Sequence, residues 1–276
     1  MDPFTDQLQD TRQVQMVTSV PRAAVRAQLP SWCVHAYTAT GVVLAMLIVM
    51  AAWQGDVERA LWLGLAALVV DGTDGMLARR VDVHRHLPQF DGALLDNIVD
   101  YLTYAFAPMV LLWSNGYLGT GSSAALLAVV PLVASAYQFC RADAKTDDHL
   151  FLGFPSYWNV VAFYVVVCNL GRTSVAVLLL VCAVLVFVPV TYVYPSRTTW
   201  LRGPTLVLTA VWLASYAVLL AEHPARSPLW LSISLAYVAY YVALSLQLTL
   251  RRRAHGAAEV PQPAHSAPPG ASEPAG

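Results

Sequence analysis

Long apolar runs dominate this chain, and short polar segments separate them. Each run approaches the roughly 20 residues that an α-helix needs to cross a bilayer. The pattern predicts an all-α polytopic membrane protein with about eight transmembrane helices. The predicted spans are residues 34–53, 60–78, 93–113, 124–139, 157–170, 174–194, 204–220 and 229–250.

The composition agrees with this pattern. The chain has 276 residues, of which 57% are hydrophobic and only 12% charged, a balance typical of a polytopic membrane protein. We therefore expect one membrane domain over residues 31–250, after a cytoplasmic N-terminal segment at 1–30. Residues 251–276 are predicted to form a disordered cytoplasmic tail, because Pro, Ala, Gly and Ser cannot build a core there. Membrane lipids are the expected surroundings, and no nucleic-acid partner is expected.

Basic residues are distributed unevenly between the predicted spans. If the N-terminus is cytoplasmic, 13 of the 16 Lys and Arg residues lie in cytoplasmic segments, and Arg59, Arg172 and Arg226 lie on the other side. The positive-inside rule then predicts that both termini are cytoplasmic. The same orientation places the active site described next at the cytosolic face.

Four acidic residues stand near the ends of the second and third predicted spans. Asp71 and Asp74 are three residues apart, and Asp96 and Asp100 are four apart, so each pair shares one helix face. An Asp at the centre of a membrane helix costs roughly 2.5 to 3.5 kcal/mol, which requires compensation. Carboxylate oxygens are the ligands that Mg²⁺ and Mn²⁺ prefer. The pattern predicts a divalent metal site, Mn²⁺ or Mg²⁺, in which two ions share four carboxylates.

The same stretch resembles the signature of a known family. Asp-x2-Asp-Gly-x2-Ala-Arg, beginning at Asp71, followed by Gly-x3-Asp-x3-Asp, beginning at Gly92, is similar to the motif of the CDP-alcohol phosphotransferases. These membrane enzymes break the pyrophosphate of a CDP-alcohol and transfer the phosphoryl-alcohol to a second hydroxyl. Twelve residues separate Arg79 from Gly92, which is longer than the common form of the family.

The longer spacing resembles one branch of this family, the bacterial phosphatidylcholine synthases, and so does the segment from Cys140 to Asn159. The resemblance implies that CDP-diacylglycerol reacts with choline to give phosphatidylcholine and CMP. It also implies a multi-pass protein of the bacterial cytoplasmic (inner) membrane. Homodimers are frequent in the wider family, so a homodimer is expected by analogy alone.

The resemblance also assigns roles to residues. It implies that Asp71, Asp74 and Asp96 are metal ligands, and that Asp100 is both a metal ligand and the catalytic general base. Arg79 lies eight residues past Asp71 and returns to its face, where a guanidinium can bind a phosphate with two hydrogen bonds. The residues expected to bind CDP-diacylglycerol are Thr38, Gly72, Gly75, Ala78, Arg79, Gly92, Arg141 and Lys145.

Choline poses a separate recognition problem, because its quaternary ammonium has no N–H group and is best held against aromatic faces. Tyr104 lies one turn beyond Asp100, and Tyr157 with Trp158 begins the fifth predicted span. We predict that these three residues form a choline cage. The alternative interpretation is an aromatic belt at the membrane interface.

Other functions compatible with the pattern remain open at this point. The same reaction with inositol, glycerol phosphate or serine as acceptor would require polar or basic pockets. An intramembrane prenyltransferase also uses Asp-rich helices with Mg²⁺ but does not require Arg79 or Gly92. A cation transporter would distribute its acids along a pathway instead of clustering them at one face. Release of CMP from CDP-diacylglycerol separates these alternatives.

Overall fold

The computed structural model describes residues 22–144, 150–193 and 202–258. Lys145 lies outside these ranges, as do most of the N-terminal segment and most of the predicted tail. Two short strands interrupt a helical chain. The elements are α1 (Arg22–Trp53), α2 (Val57–Val81), α3 (Val83–His86), α4 (Gly92–Asp100), a π-helix (Tyr101–Phe106), α5 (Ala107–Ser114), α6 (Gly121–Cys140), β1 (Leu150–Leu152), α7 (Trp158–Val167), α8 (Arg172–Phe187), β2 (Thr191–Val193), α9 (Arg202–Ala221) and α10 (Pro228–Ala258).

The structure confirms a polytopic helical membrane protein. Among the described residues, five helices are long and apolar enough to cross a bilayer: α1, α2, α6, α9 and α10. The shorter apolar helices α7 and α8 occupy the positions of the fifth and sixth predicted spans. The third predicted span corresponds to α4, the π-helix and α5, which follow one another without a break. The count of eight spans therefore stays a prediction.

One region departs from the all-α prediction. The sixth span was predicted to reach residue 194, but α8 ends at Phe187. Val188 is extended, as expected for a residue that precedes a proline. The chain then forms β2, which pairs antiparallel with β1. Helix α10 packs against β2, where the Thr191 N–H donates a hydrogen bond to Thr249 Oγ1 at 2.8 Å.

The helices that carry the acidic residues are held by α1. Helix α1 packs along α2 and also contacts α4 and α5. The approach to α4 is close at Gly41, because a Cβ there would overlap the Val99 side chain. Only glycine can therefore occupy this position unless the Val99 side chain or one of the helices shifts. Because α1 contacts both α2 and α4, it holds near each other the two helices that carry the acidic residues.

The termini of α2 and α4 are defined by local hydrogen bonds. The Asp56 carboxylate accepts the Arg59 N–H at the start of α2, and Asp91 accepts the Leu94 N–H at 2.9 Å at the start of α4. Such N-caps satisfy backbone donors that have no partner inside the helix. Asp82 ends α2 in the left-handed conformation. Helix α2 thus continues about two turns beyond Asp74, so its acids lie inside the helix.

Candidate active site

Three of the four predicted metal ligands converge. Asp71 comes from α2, whereas Asp96 and Asp100 come from α4, and each offers one carboxylate oxygen. These oxygens all lie within 4.8 Å of one another, and the three side chains are half-buried. Three anions at this separation repel one another in a medium of low dielectric constant. The arrangement is therefore suited to a divalent cation, which hard oxygen ligands bind well.

Asp74 borders this cluster. It is buried, with 6% of its surface exposed, and its carboxylate lies near the side chain of Thr38 on α1. The charges of Asp96 and Arg79 are close enough to act on it. A buried carboxylate needs such compensation because desolvation disfavours its charged form. Thr38 is itself buried, so α1 supplies a polar wall behind Asp74.

A π-helix begins directly after Asp100 and places a tyrosine in the site. Such turns are rare and occur frequently at functional positions. Tyr104 lies within this turn, is buried, and donates its hydroxyl to Asp71 Oδ2 at 2.5 Å. Hydrogen bonds to a charged acceptor are among the stronger ones in proteins. This bond connects the segment after Asp100 to the first half of the motif.

Arg79 and the nearby small residues lie on one side of α2. Arg79 is exposed, and its guanidinium folds back over Gly75: a Cβ at that glycine would lie 3.3 Å from Arg79 Nη1. Gly72 is exposed and has no atom within 4 Å of an added Cβ. Ala78 is partly buried. The structure thus leaves the backbone of Gly72 open and places the exposed Arg79 guanidinium beside Gly75.

Gly92 has a packing neighbour that the sequence did not indicate. A Cβ at Gly92 would lie 2.6 Å from His35 Cε1, so the imidazole of α1 occupies the space of the missing side chain. The His35 ring also packs on Phe90, with ring centroids 4.4 Å apart, and Phe90 contacts Trp32. Gly92 was expected to bind the donor, and the geometry shows α1 in contact with it.

Arg141 is engaged within its own loop. Its Nε and Nη2 atoms donate to the two Asp143 carboxylate oxygens at 2.7 and 2.6 Å, and its Nη1 lies 3.4 Å from the Leu152 carbonyl oxygen. The guanidinium beside Asp143 lowers the pKa of that carboxyl through a charge-assisted hydrogen bond. Arg141 therefore joins the end of α6 to β1, and the described contacts do not bring it to the acidic cluster.

A pocket of about 360 Å³ opens beside Asp71. Helices α2, α9 and α10 form most of its wall, and Tyr104 and Tyr157 complete it. The rings of Tyr104 and Tyr157 meet edge to face, with centroids 6.0 Å apart. Trp158 is not brought to this pocket: it is fully buried and donates its ring N–H to Ser135 Oγ at 2.6 Å. Two of the three predicted cage residues therefore lie together.

Several pocket residues were missed by the sequence reasoning. Tyr241, Tyr237 and Trp212 line the same space, and Thr73 lies next to Asp71 in its wall. Thr73 Oγ1 also hydrogen-bonds the Tyr37 hydroxyl at 2.8 Å, which links α1 to α2. The spacing of four between Tyr237 and Tyr241 puts both on one face of the last helix, which was the available signal. Which helix that face meets depends on tertiary packing.

Fold and site together define a class of protein. It is a multi-pass membrane protein in which carboxylates from two helices converge beside an aromatic pocket. Residues 34–189 match the model of the CDP-alcohol phosphatidyltransferase family. Since this match covers more than half of the chain, the protein belongs to that family of membrane enzymes.

The chain is also similar to individual proteins of known activity. The chain is 40% identical to a phosphatidylcholine synthase of Legionella pneumophila over 236 residues, which cover 83% of this chain and 92% of the relative. It is 40% identical to a phosphatidylcholine synthase of Pseudomonas aeruginosa over 223 residues, covering 80% and 92%. A phosphatidylcholine synthase of Borreliella burgdorferi is 31% identical over 225 residues, covering 81% and 96%.

Proposed function

We propose that this chain transfers the phosphatidyl group of CDP-diacylglycerol to choline, giving phosphatidylcholine and CMP. The family supplies the reaction class, and relatives similar over most of the chain are phosphatidylcholine synthases. The observation that carries the choice of choline is the tyrosine-lined pocket beside the acidic cluster. A quaternary ammonium has no hydrogen-bond donor. Aromatic faces therefore suit it better than the polar pockets that inositol or serine would require.

The donor set fits a divalent metal. Asp71, Asp96 and Asp100 would hold Mn²⁺ or Mg²⁺, and Asp74, on which the charge of Asp96 acts, would complete a site for two ions. When bound, such ions neutralise charge on the pyrophosphate and favour departure of CMP. The fit rests on oxygen-only donors gathered within 4.8 Å from two helices.

The residues of the chain perform the remaining tasks. Asp100 accepts the proton of the choline hydroxyl, whose oxygen then forms a bond to the phosphorus of the phosphatidyl group while the bond to CMP breaks. Arg79 binds a phosphate of the donor, and Thr38 borders the nucleotide. Gly72, Gly75 and Ala78 leave room along α2, and Gly92 lets α1 approach. Arg141 and Lys145 are retained as donor-binding residues only through the family resemblance.

We place the chain in a bacterial cytoplasmic membrane, with eight spans, both termini inside and the site open to the cytosol. The support is the distribution of basic residues, including Arg79 and Arg80 in the last turn of α2. Single cysteines in place of Glu58 and His84 test this orientation in intact cells with an impermeant maleimide. The proposal expects labelling at position 58 alone, and labelling at position 84 alone would reverse the topology. A homodimer stays an expectation by analogy.

The activity is tested with purified protein, CDP-diacylglycerol and Mn²⁺ or Mg²⁺. Choline, inositol, glycerol phosphate, serine and ethanolamine are supplied one at a time, and CMP and new lipid are measured. We expect CMP and phosphatidylcholine with choline, and no product after chelation of the metal. Product with another acceptor and none with choline would reassign the substrate. Failure to release CMP with any acceptor would favour the prenyltransferase or transporter alternatives.

A further inference from the structure

The last helix contributes an aromatic ring to the pocket beside Asp71. Tyr241 belongs to α10 and lines the pocket together with Tyr104 and Tyr157. The Tyr157 ring lies between the other two, with its centroid 6.0 Å from that of Tyr104 and 6.4 Å from that of Tyr241. The Tyr157 ring is tilted by 65° to that of Tyr104 and by 58° to that of Tyr241. They form a curved aromatic wall next to a carboxylate.

Hydrogen bonds fix two of these rings in place. The Tyr104 hydroxyl donates to Asp71, and the Tyr241 hydroxyl donates to the Val193 carbonyl oxygen at 3.1 Å. The second bond anchors Tyr241 to strand β2. Because their hydroxyls already have partners, the rings can face a ligand as rigid surfaces, which reduces the ordering entropy lost on binding.

Such a wall has a defined chemical preference. A cation that lacks N–H groups is attracted by the negative faces of aromatic rings. An ammonium with N–H groups would leave its donors unpaired against the same rings, at a cost in binding. We therefore expect the pocket to favour trimethylammonium over a primary ammonium.

The location of Tyr241 adds a second argument. The match to the CDP-alcohol phosphatidyltransferase model ends at residue 189, whereas α10 begins at Pro228. The residues of the acidic cluster all fall inside the matched region. We infer that Tyr241, on a helix outside the part of the chain that carries the shared chemistry, is a specificity-determining residue of the choline site. This inference rests on the proposed function and adds a residue and a helix to it.

The test replaces the ring and keeps the apolar bulk. In Tyr241→Leu we expect KM for choline to rise about tenfold and the preference for choline over ethanolamine to fall by a similar factor. KM for CDP-diacylglycerol should stay within about twofold, because Tyr241 is not one of the residues assigned to binding the donor. Tyr241→Phe keeps the π face and should retain a choline KM within about twofold of the wild type.

Tyr240→Leu is the matched control. Tyr240 neighbours Tyr241 on the same helix, but its hydroxyl pairs with Thr205 at 2.9 Å and it is absent from the pocket wall. Its choline KM should not change. Folding of each variant is checked by thermal unfolding in detergent. An unchanged choline KM in folded Tyr241→Leu overturns the inference, and so does a rise confined to KM for CDP-diacylglycerol, which would assign the pocket to acyl chains.

A binding measurement separates this inference from the proposed function. Trp212 lines the pocket, and the chain has eight tryptophans, so the fluorescence change on adding choline that is lost in Trp212→Phe reports occupancy without turnover. The inference expects wild-type protein to bind choline and Tyr241→Leu to bind it about tenfold more weakly. Choline binding without formation of phosphatidylcholine would contradict the proposed function alone. Equal binding by both proteins would contradict the role of Tyr241 alone.

Discussion

The carboxylates of Asp71, Asp96 and Asp100 share a small space, and Asp74 is buried at its edge. Asparagine keeps the shape of each side chain and removes its charge. We expect Asp71→Asn, Asp74→Asn, Asp96→Asn and Asp100→Asn each to lower kcat/KM by at least about 100-fold, because each removes a metal-binding charge. For Asp100→Asn the loss should lie in kcat more than in KM for CDP-diacylglycerol, since Asp100 is proposed to accept the proton of the choline hydroxyl.

Asp56→Asn is the control for these variants. Asp56 caps α2 at its other end, and asparagine is an equally good N-cap. Its activity should match that of the wild type in the CMP-release assay. Wild-type turnover of any cluster variant at saturating metal would contradict the role of that carboxylate.

A substitution at Arg79 tests whether binding of CDP-diacylglycerol requires the planar guanidinium or only a positive charge. Arg79→Lys keeps the positive charge but loses the planar fork that binds phosphate oxygens in pairs. We expect KM for CDP-diacylglycerol to rise about tenfold, with correct membrane insertion. Arg80→Lys, at the adjacent exposed position, should leave KM unchanged. A near-normal KM for CDP-diacylglycerol in both variants would contradict phosphate binding by Arg79. Its role would then be limited to membrane topology.

Tyr104 has two separable features, a ring and a hydroxyl. Tyr104→Phe deletes only the hydrogen bond to Asp71. Because hydrogen bonds to charged groups contribute about 1.5 to 3 kcal/mol, we expect a roughly tenfold or larger rise in the metal concentration for half-maximal activity. KM for choline should stay near the wild-type value, since the ring remains. Tyr101→Phe, at the start of the same π-helix, serves as the control, and equal effects of both variants would contradict a specific role for the bond.

The segment between the two halves of the motif is held in place by packing against α1. The His35 ring fills the space beside Gly92 and contacts Phe90. In Gly92→Ala the new methyl group would overlap the ring, so we expect α4 to shift and kcat/KM to fall at least about tenfold. Adding His35→Ala to Gly92→Ala makes room for the methyl group.

The double variant should therefore be more active than Gly92→Ala alone, in the CMP-release assay and with thermal unfolding measured in parallel. Such coupling is expected only between side chains in direct contact. If His35→Ala gives no recovery, the glycine is required by the bound nucleotide instead of by α1.

Much of the site could be predicted at the level of helix faces. The spacing of Asp71 and Asp74, and of Asp96 and Asp100, places each pair on one face, and the structure brings Asp71 to Asp96 and Asp100. The sequence could not indicate that the helix after Asp100 becomes a π-helix, because that change depends on how the turn packs against α1 and α6. Local patterns likewise did not distinguish Tyr157, which faces the pocket, from its buried neighbour Trp158.

At the scale of the whole molecule, the apolar pattern predicted the membrane class, and the departures come from long-range contacts. Strand β2 lies where a span was predicted to continue, since Pro189 ends the helical conformation and β1 offers backbone partners. Tyr241 could not be assigned to the site for a similar reason. It is 137 positions beyond Tyr104, and only the packing of α10 brings the two rings to one pocket.

Helix α2 also has a consequence for how the protein is made. It is the least apolar of the five long apolar helices among the described residues, because it carries Asp71 and Asp74. During synthesis α2 leaves the ribosome before Asp96, Asp100 and Tyr104 exist, so only α1, through Tyr37 and Thr38, can offer it polar partners. The two helices should therefore enter the bilayer as a hairpin. In nascent chains truncated after Val81, replacing Tyr37 and Thr38 by Phe and Val should lower the inserted fraction of α2, as measured by a glycosylation tag. Unchanged insertion would mean that α2 crosses the translocon unaided.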